Sequence, residues 1–162
     1  MKSVYILLAT GLVSLLVGCS STPVALAPVG PNPVDIESMD SKGALQVFSS
    51  LTGRSEGDNP TWHKHTEYYI YNLHGKLLKH VDNTIGHYEN APCPVALPAG
   101  RYLVKAHAKD YFWVNVPVTI ERGRTTRVHL DDNWKLPANT PKTELVSMPN
   151  GNPVGWRAES TK

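Results

Sequence analysis

Two histidines one residue apart are the clearest hint of chemistry in this 162-residue chain. On a strand, His63 and His65 project to one face, and a pair of imidazoles is half of the ligand set that Zn²⁺ or Cu²⁺ takes from nitrogen donors. A third ligand would come from His74, His80, His87 or Glu67, and no spacing selects among them. Scattered solvent-exposed histidines account for the same pattern. Nucleophilic catalysis has less behind it. Cys93 stands between Pro92 and Pro94, with no nearby His or Asp in sequence and no helix start to depress its pKa. It reads as a small, part-buried apolar residue. There is no G-x-S-x-G elbow and no phosphate loop. The expectation is a protein that is not an enzyme and needs no cofactor.

The aromatic residues are the larger set of candidates. Trp62, Tyr68, Tyr69, Tyr71, Tyr88, Tyr111, Phe112, Trp113 and Trp134 exceed what one inward face would need. Tyr68 and Tyr69 face opposite ways on a strand, which leaves a tyrosine face outward. Tyr111, Phe112 and Trp113 fall at a turn between two strands, where exposed rings stack on sugars or anchor a partner protein. These three are the expected binding residues. Core and rim packing is the competing account.

Charge narrows the partners. The chain has 16 Lys and Arg against 14 Asp and Glu, a net charge of +2, with the signs interspersed. Nucleic-acid binders usually present a basic stripe, so no nucleic-acid partner is expected. Near the start, Lys2 precedes an apolar run from Val4 to Val17 and then Gly18-Cys19. That order of charge, apolar run and small residue is a secretory signal, and the run falls short of the ~20 residues a membrane span needs. The ending Leu16-Val17-Gly18-Cys19 resembles the lipobox of bacterial lipoproteins. The resemblance implies removal of residues 1–18, lipidation of Cys19 and attachment to a membrane through that lipid. Ser20 follows the cysteine, and no aspartate stands there to resemble an inner-membrane retention signal. In a two-membrane cell the expectation is therefore the outer membrane. Cys93 is then the one free thiol, so no intramolecular disulfide forms and the core holds the domain unaided.

Residues 19–42 are dense in proline, at positions 23, 28, 31 and 33, which reads as an extended tether spanning some tens of ångströms at ~3 Å per residue. From Ala44 the pattern turns to period two. Leu45, Val47, Ser49 and Leu51 share a face, and EYYIYN from Glu67 to Asn72 pairs with Leu77–Val81 across a Leu73–Lys76 turn. Pro94–Leu97 is a short strand. Two long ones follow, with Tyr102, Val104, Ala106 and Ala108 inward on the first and Val114, Val116, Val118 and Ile120 inward on the second. Pro117 lacks an amide hydrogen, so its strand is expected at an edge or bulge. Thr126, Val128 and Leu130 close the series, and Glu144–Met148 with Pro153–Arg157 forms a last hairpin around Asn150-Gly151. No helical period is present. The expected fold is all-β, an antiparallel β-sandwich with strand and turn signals every 8–12 residues.

The stretch from Val95 to Asp131, with its LPAGRY turn, long strand, Gly-Arg-Thr turn and closing strand, resembles the second half of carboxypeptidase regulatory-like (transthyretin-like) domains; PEGA modules look similar. The resemblance covers roughly residues 43–131 and implies a prealbumin or immunoglobulin-like sandwich there, with 132–162 as a C-terminal extension. Enzymes of that architecture are not matched. Its ring-cleaving dioxygenases place two iron-binding tyrosines before a His-x-His, whereas Tyr68, Tyr69 and Tyr71 follow His65 here. Its hydroxyisourate hydrolases end Tyr-Arg-Gly-Ser, and this chain ends Glu159-Ser160-Thr161-Lys162. The expected role is a lipid-anchored envelope protein whose sandwich binds or scaffolds a protein or glycan. A metal-binding envelope lipoprotein using His63 and His65 is the alternative.

Overall fold

The computed structural model describes residues 24–34, 40–53, 63–83 and 91–159. Residues 1–18, expected as a signal segment, together with Cys19, Trp62, His87 and Tyr88, lie outside the described residues. Twelve strands form in the described chain: β1 Val29–Gly30, β2 Gly43–Phe48, β3 Leu51–Gly53, β4 His63–His65, β5 Tyr68–Tyr71, β6 Leu77–Val81, β7 Val95–Leu97, β8 Gly100–His107, β9 Trp113–Ile120, β10 Thr125–His129, β11 Leu145–Ser147 and β12 Pro153–Arg157. One short 3₁₀ turn, Lys142–Glu144, precedes β11. The all-β expectation holds.

Period-two patterning explains the longest pair. β8 and β9 register residue for residue from Gly100↔Ile120 to His107↔Trp113. Val114, Val116, Val118 and Ile120 are each no more than 2% exposed. Each such side chain stabilises the fold by roughly 1.5–3 kcal/mol. Their alternating partners Trp113, Asn115, Pro117 and Thr119 stay half-exposed. After β9 the chain turns at Gly123, whose φ of 68° suits glycine. There it leaves one sheet for another, because β10 pairs with β2 rather than with β9.

The strands form a seven-stranded sheet in the order β11-β12-β1-β9-β8-β5-β6, a three-stranded sheet β10-β2-β7 and a two-stranded ribbon β3-β4. The two larger sheets share one apolar core, to which β2 gives Leu45 and Val47, β10 Val128, β5 Tyr68 and Ile70, and β8 Val104 and Ala106. Burial pushes the Tyr68 phenol well above its ordinary range.

Four expectations change. The sheets are mixed, not antiparallel throughout: β1 runs parallel to β9 and β10 parallel to β2. The chain's crossing between sheets after Gly123 brings β10 back alongside β2 in the same sense.

Secondly, residues 24–34 are not a free tether. Val29 is fully buried, and β1 is wedged between β9 and β12. The strand escapes the proline density because Pro28 and Pro31 flank it, leaving two residues free to pair. Its close fit needs Gly30, where a Cβ would come within 2.8 Å of Ala158 Cα. The Arg124 guanidinium donates to the Asn32 carbonyl and the Ala158 amide to the Pro28 carbonyl, pinning both ends of the segment.

Thirdly, the boundary at residue 131 is not one in the fold. The β11–β12 hairpin forms as expected, with φ 91° at Gly151, but it extends the large sheet through β1. Val154 is fully buried in the common core.

Fourthly, β9 is an interior strand, not an edge. The missing amide of Pro117 is tolerated because it lies between two separate pairings, Ala25↔Asn115 and Val29↔Val118. The short strands β3 and β4 have no counterpart among the expected elements.

Candidate functional site

Strand register assembles a grid of side chains on the outer face of the large sheet. Tyr69 of β5 lies opposite both His80 of β6 and Lys105 of β8, and Lys105 lies opposite Asn115 of β9. One row further along, Tyr71 stands opposite Leu77 and Leu103, and Leu103 opposite Pro117. The row on the other side is His107 and Trp113. The positions on β5, β8 and β9 alternate with core positions, so pleating turns them outward; β6 is an edge strand exposed from Leu77 to His80, with a register shift against Ile70 and Tyr71.

The rings make a continuous run across the strands. Tyr69 stacks on His80 with centroids 4.6 Å apart and planes 10° from parallel. Trp113 lies 5.7 Å from Tyr69 and 3.8 Å from the His107 ring. Phe112 meets both His107 and Trp113 edge-on, at 4.9 and 6.3 Å. The Lys105 ammonium sits 5.4 Å from the centre of the Trp113 ring, a cation–π contact. At the far end Glu67 accepts hydrogen bonds from the Tyr69 hydroxyl at 2.9 Å and from His80 Nε2 at 2.8 Å. These bonds hold the Glu67 carboxyl below its ordinary pKa, and the same carboxylate pushes the Tyr69 phenol up. Leu77 is 48% exposed beside this run on an edge strand. The result is a shallow surface of rings with an ammonium, a carboxylate and an amide set between them. Such a surface can stack on a ligand face and hydrogen-bond its rim.

Of the three residues expected to bind, two belong here. Phe112 is 77% exposed and Trp113 is half-buried in the ring run. Tyr111 does not belong: it packs on the hydrophobic core. The turn explains the split, because Asp110 adopts φ 65° and the Tyr111 amide donates to the Ala108 carbonyl, rolling Tyr111 under the loop. The same turn is braced from the side, where the Lys109 amide donates to the Leu130 carbonyl and its ammonium to Asp132 at 3.0 Å. Tyr69, a candidate ring in the sequence, and His80, a candidate metal ligand there, join Lys105 and His107, which the sequence did not single out; cross-strand register and ring contacts bring the four together.

Of the histidine pair, His65 alone has a described side chain. The backbone of His63 pairs with Gly53, and its side chain lies outside what is described. His65 is 2% exposed, meets Phe48 edge-on at 5.9 Å and directs Nδ1 to the Ser49 carbonyl. Its neighbours form a buried polar knot, in which the Asn83 amide donates to Ser49 Oγ and Ser49 Oγ to the Thr66 carbonyl. Among the described residues no group of three His, Cys, Asp or Glu side chains converges on a point that could hold a metal ion. Cys93 is exposed rather than part-buried, lying before β7, whose inward positions are Val95 and Leu97.

Hollows also lie elsewhere among the described residues. A cleft of about 140 Å³ is lined by Asn32, Arg127, His129, Trp134 and Trp156 among others. It is smaller than the ~300 Å³ at which ligand pockets begin. The second, about 330 Å³, lies over the starts of β2 and β10, and its lining includes Asp40, Lys42, Arg124 and Thr125, with no histidine or thiol. No protein-family model matches the chain, and comparisons with curated proteins and with solved structures find no match.

Proposed function

We propose that this chain is a lipid-anchored envelope protein whose β-rich domain binds a partner without catalysis, through the outer face of its large sheet. The Leu16–Cys19 sequence supports the anchor. Two sheets sharing one core support a sandwich of the prealbumin or immunoglobulin-like kind. The observation that carries the binding role is the ring run Trp113–His107 and Tyr69–His80, left outward on the sheet and interleaved with Lys105, Glu67 and Asn115. Rings alternating with polar groups on a flat face suit a saccharide chain, whose C–H faces stack and whose hydroxyls pair at the rim.

The test is retention of the full chain on immobilised envelope polysaccharide, for wild type and Trp113→Ala. An aromatic anchor typically contributes a couple of kcal/mol, so capture should weaken about tenfold or more while the melting midpoint moves little. Equal retention of both proteins would remove the ring run from the binding role. Retention on a protein partner alone, lost in Trp113→Ala, would keep the surface and replace the ligand.

A further inference from the structure

We infer that Phe112 is a membrane contact that seats the domain with the Tyr111–Trp113 end of the large sheet against the lipid surface. This seating rests on the proposed lipidation of Cys19.

The chain enters the folded domain beside the start of β9. β1 runs parallel to β9, with Val29 against Val118 and, upstream, Ala25 against Asn115. Moving toward the N-terminus along this segment is therefore moving toward the start of β9. Val24, packed on the core, is the first described residue. It lies alongside the beginning of β9, which opens at Trp113 directly after the Phe112 turn. From Ala25, one strand spacing of about 4.8 Å and three residues of rise place Phe112 roughly 10 Å away.

Reach then fixes the geometry. Cys19 is five residues from Val24, and a chain spans at most about 3.5 Å per residue. Cys19 is thus held within roughly 17 Å of Val24, which itself lies at the Phe112 end of β9. The Arg122 turn lies beyond the other end of β9, eight residues of strand or about 26 Å further away. Docking of residues 24–34 onto the sheet is what makes the leash short; a free tether as far as residue 42 would impose no orientation.

The residue at the near end has the right chemistry. Phe112 is 77% exposed, more than any other aromatic side chain in the described core or its rim, and Trp113 beside it is a residue type enriched at membrane–water interfaces. The turn is braced by the hydrogen bond from the Lys109 amide to the Leu130 carbonyl and by the Lys109–Asp132 ion pair. Charges around it, Lys105 and Lys109 against Asp110, Asp131 and Asp132, give no net attraction to anionic headgroups. The contact is therefore apolar and insensitive to salt. One ring does not hold a domain on a bilayer. It orients a domain that the acyl chains already hold.

The experiment uses full-length lipidated protein reconstituted in phosphatidylcholine vesicles, with and without bromine near the top of the acyl chains. Phe112→Trp adds a fluorophore at the turn, and Arg122→Trp adds one at the opposite end; both positions are exposed, so both variants keep the fold. The emission added by Phe112→Trp should fall roughly twofold in brominated vesicles, at low and high salt alike, while that added by Arg122→Trp should not change. Co-flotation with vesicles but no quenching at position 112, or equal quenching at 112 and 122, overturns the seating and leaves the anchor intact. Wild type that fails to float with vesicles overturns the Cys19 reading and the seating with it.

Discussion

His129 lies flat against Trp134, with ring centroids 4.4 Å apart and planes 7° from parallel. On its other side Phe48 stacks at 4.4 Å and 13°. The imidazole is thus the middle layer of a three-ring stack that joins β2, β10 and the C-terminal segment. Trp134 in turn meets Trp156 of β12 edge-on at 6.1 Å. A protonated ring in that position would be stripped of water beside Arg127. Burial, then Arg127, then His65 pull the His129 pKa down from 6.5 to about 4.

That depression predicts a pH-dependent stability. Above pH 6.5 both folded and unfolded chains hold His129 neutral, and its contribution is complete. As pH falls toward about 4 the unfolded chain takes up the proton first, so stability drops across that window. Each tenfold difference in proton affinity between the two states is worth ~1.4 kcal/mol, so the loss approaches about 3 kcal/mol. Thermal midpoints of wild type should fall more steeply between pH 6.5 and 4 than those of His129→Phe, which cannot titrate. Parallel curves would show that the stack does not exclude the charged ring.

Gly155→Ala should loosen the docked N-terminal segment. A Cβ there would lie 2.5 Å from Val29 Cγ1 and 2.8 Å from the Arg127 carbonyl oxygen. The backbone carbonyl cannot swing aside as a side-chain tip can, so the overpacking should cost about 1–3 kcal/mol. Limited proteolysis should then cut residues 24–34 faster than in wild type. Unchanged cleavage and stability would mean that the β1–β12 contact yields without consequence.

Val116→Asp places a carboxylate where exposure is 0%, at the centre of β9. Its neighbours in the common core are apolar, and an unpaired buried charge costs several kcal/mol. The variant should fail to fold or melt far below wild type by circular dichroism. Asn115→Asp, on the outer face of the same strand, should change the midpoint little.

Cys19→Ser should release the protein from the membrane fraction or leave it unprocessed, since a hydroxyl cannot take the thioether lipid. Wild type should partition into detergent, because two or more acyl chains give stable attachment where one is marginal. In a two-membrane cell it should band with outer-membrane markers on a density gradient. Equal fractionation of both forms would exclude lipidation at this cysteine.

Alternation, strand-forming composition and turn residues located β2 and the strands from β5 to β12, and alternation assigned the inward faces of the long ones, because pleating sends alternate side chains to opposite sides whatever their neighbours are. Val114, Val116, Val118 and Ile120 were legible for that reason, as were the turns at Gly123 and Gly151. The proposed anchor at Gly18-Cys19 rests on local sequence alone. What alternation cannot contain is pairing between distant segments. Val29 sits in a two-residue strand framed by prolines, too short for any period, and becomes part of the fold only because β9 and β12 leave a slot between them. The outer ring run is the same kind of fact. Tyr69, His80, Lys105 and Trp113 come from four strands, and a slip of one residue in β5, β8 or β9 would turn that strand's side chain into the core. Tyr111 shows the limit from the other direction. Its neighbours Phe112 and Trp113 are outward, but the positive φ at Asp110 turns it inward, and only the folded turn decides that.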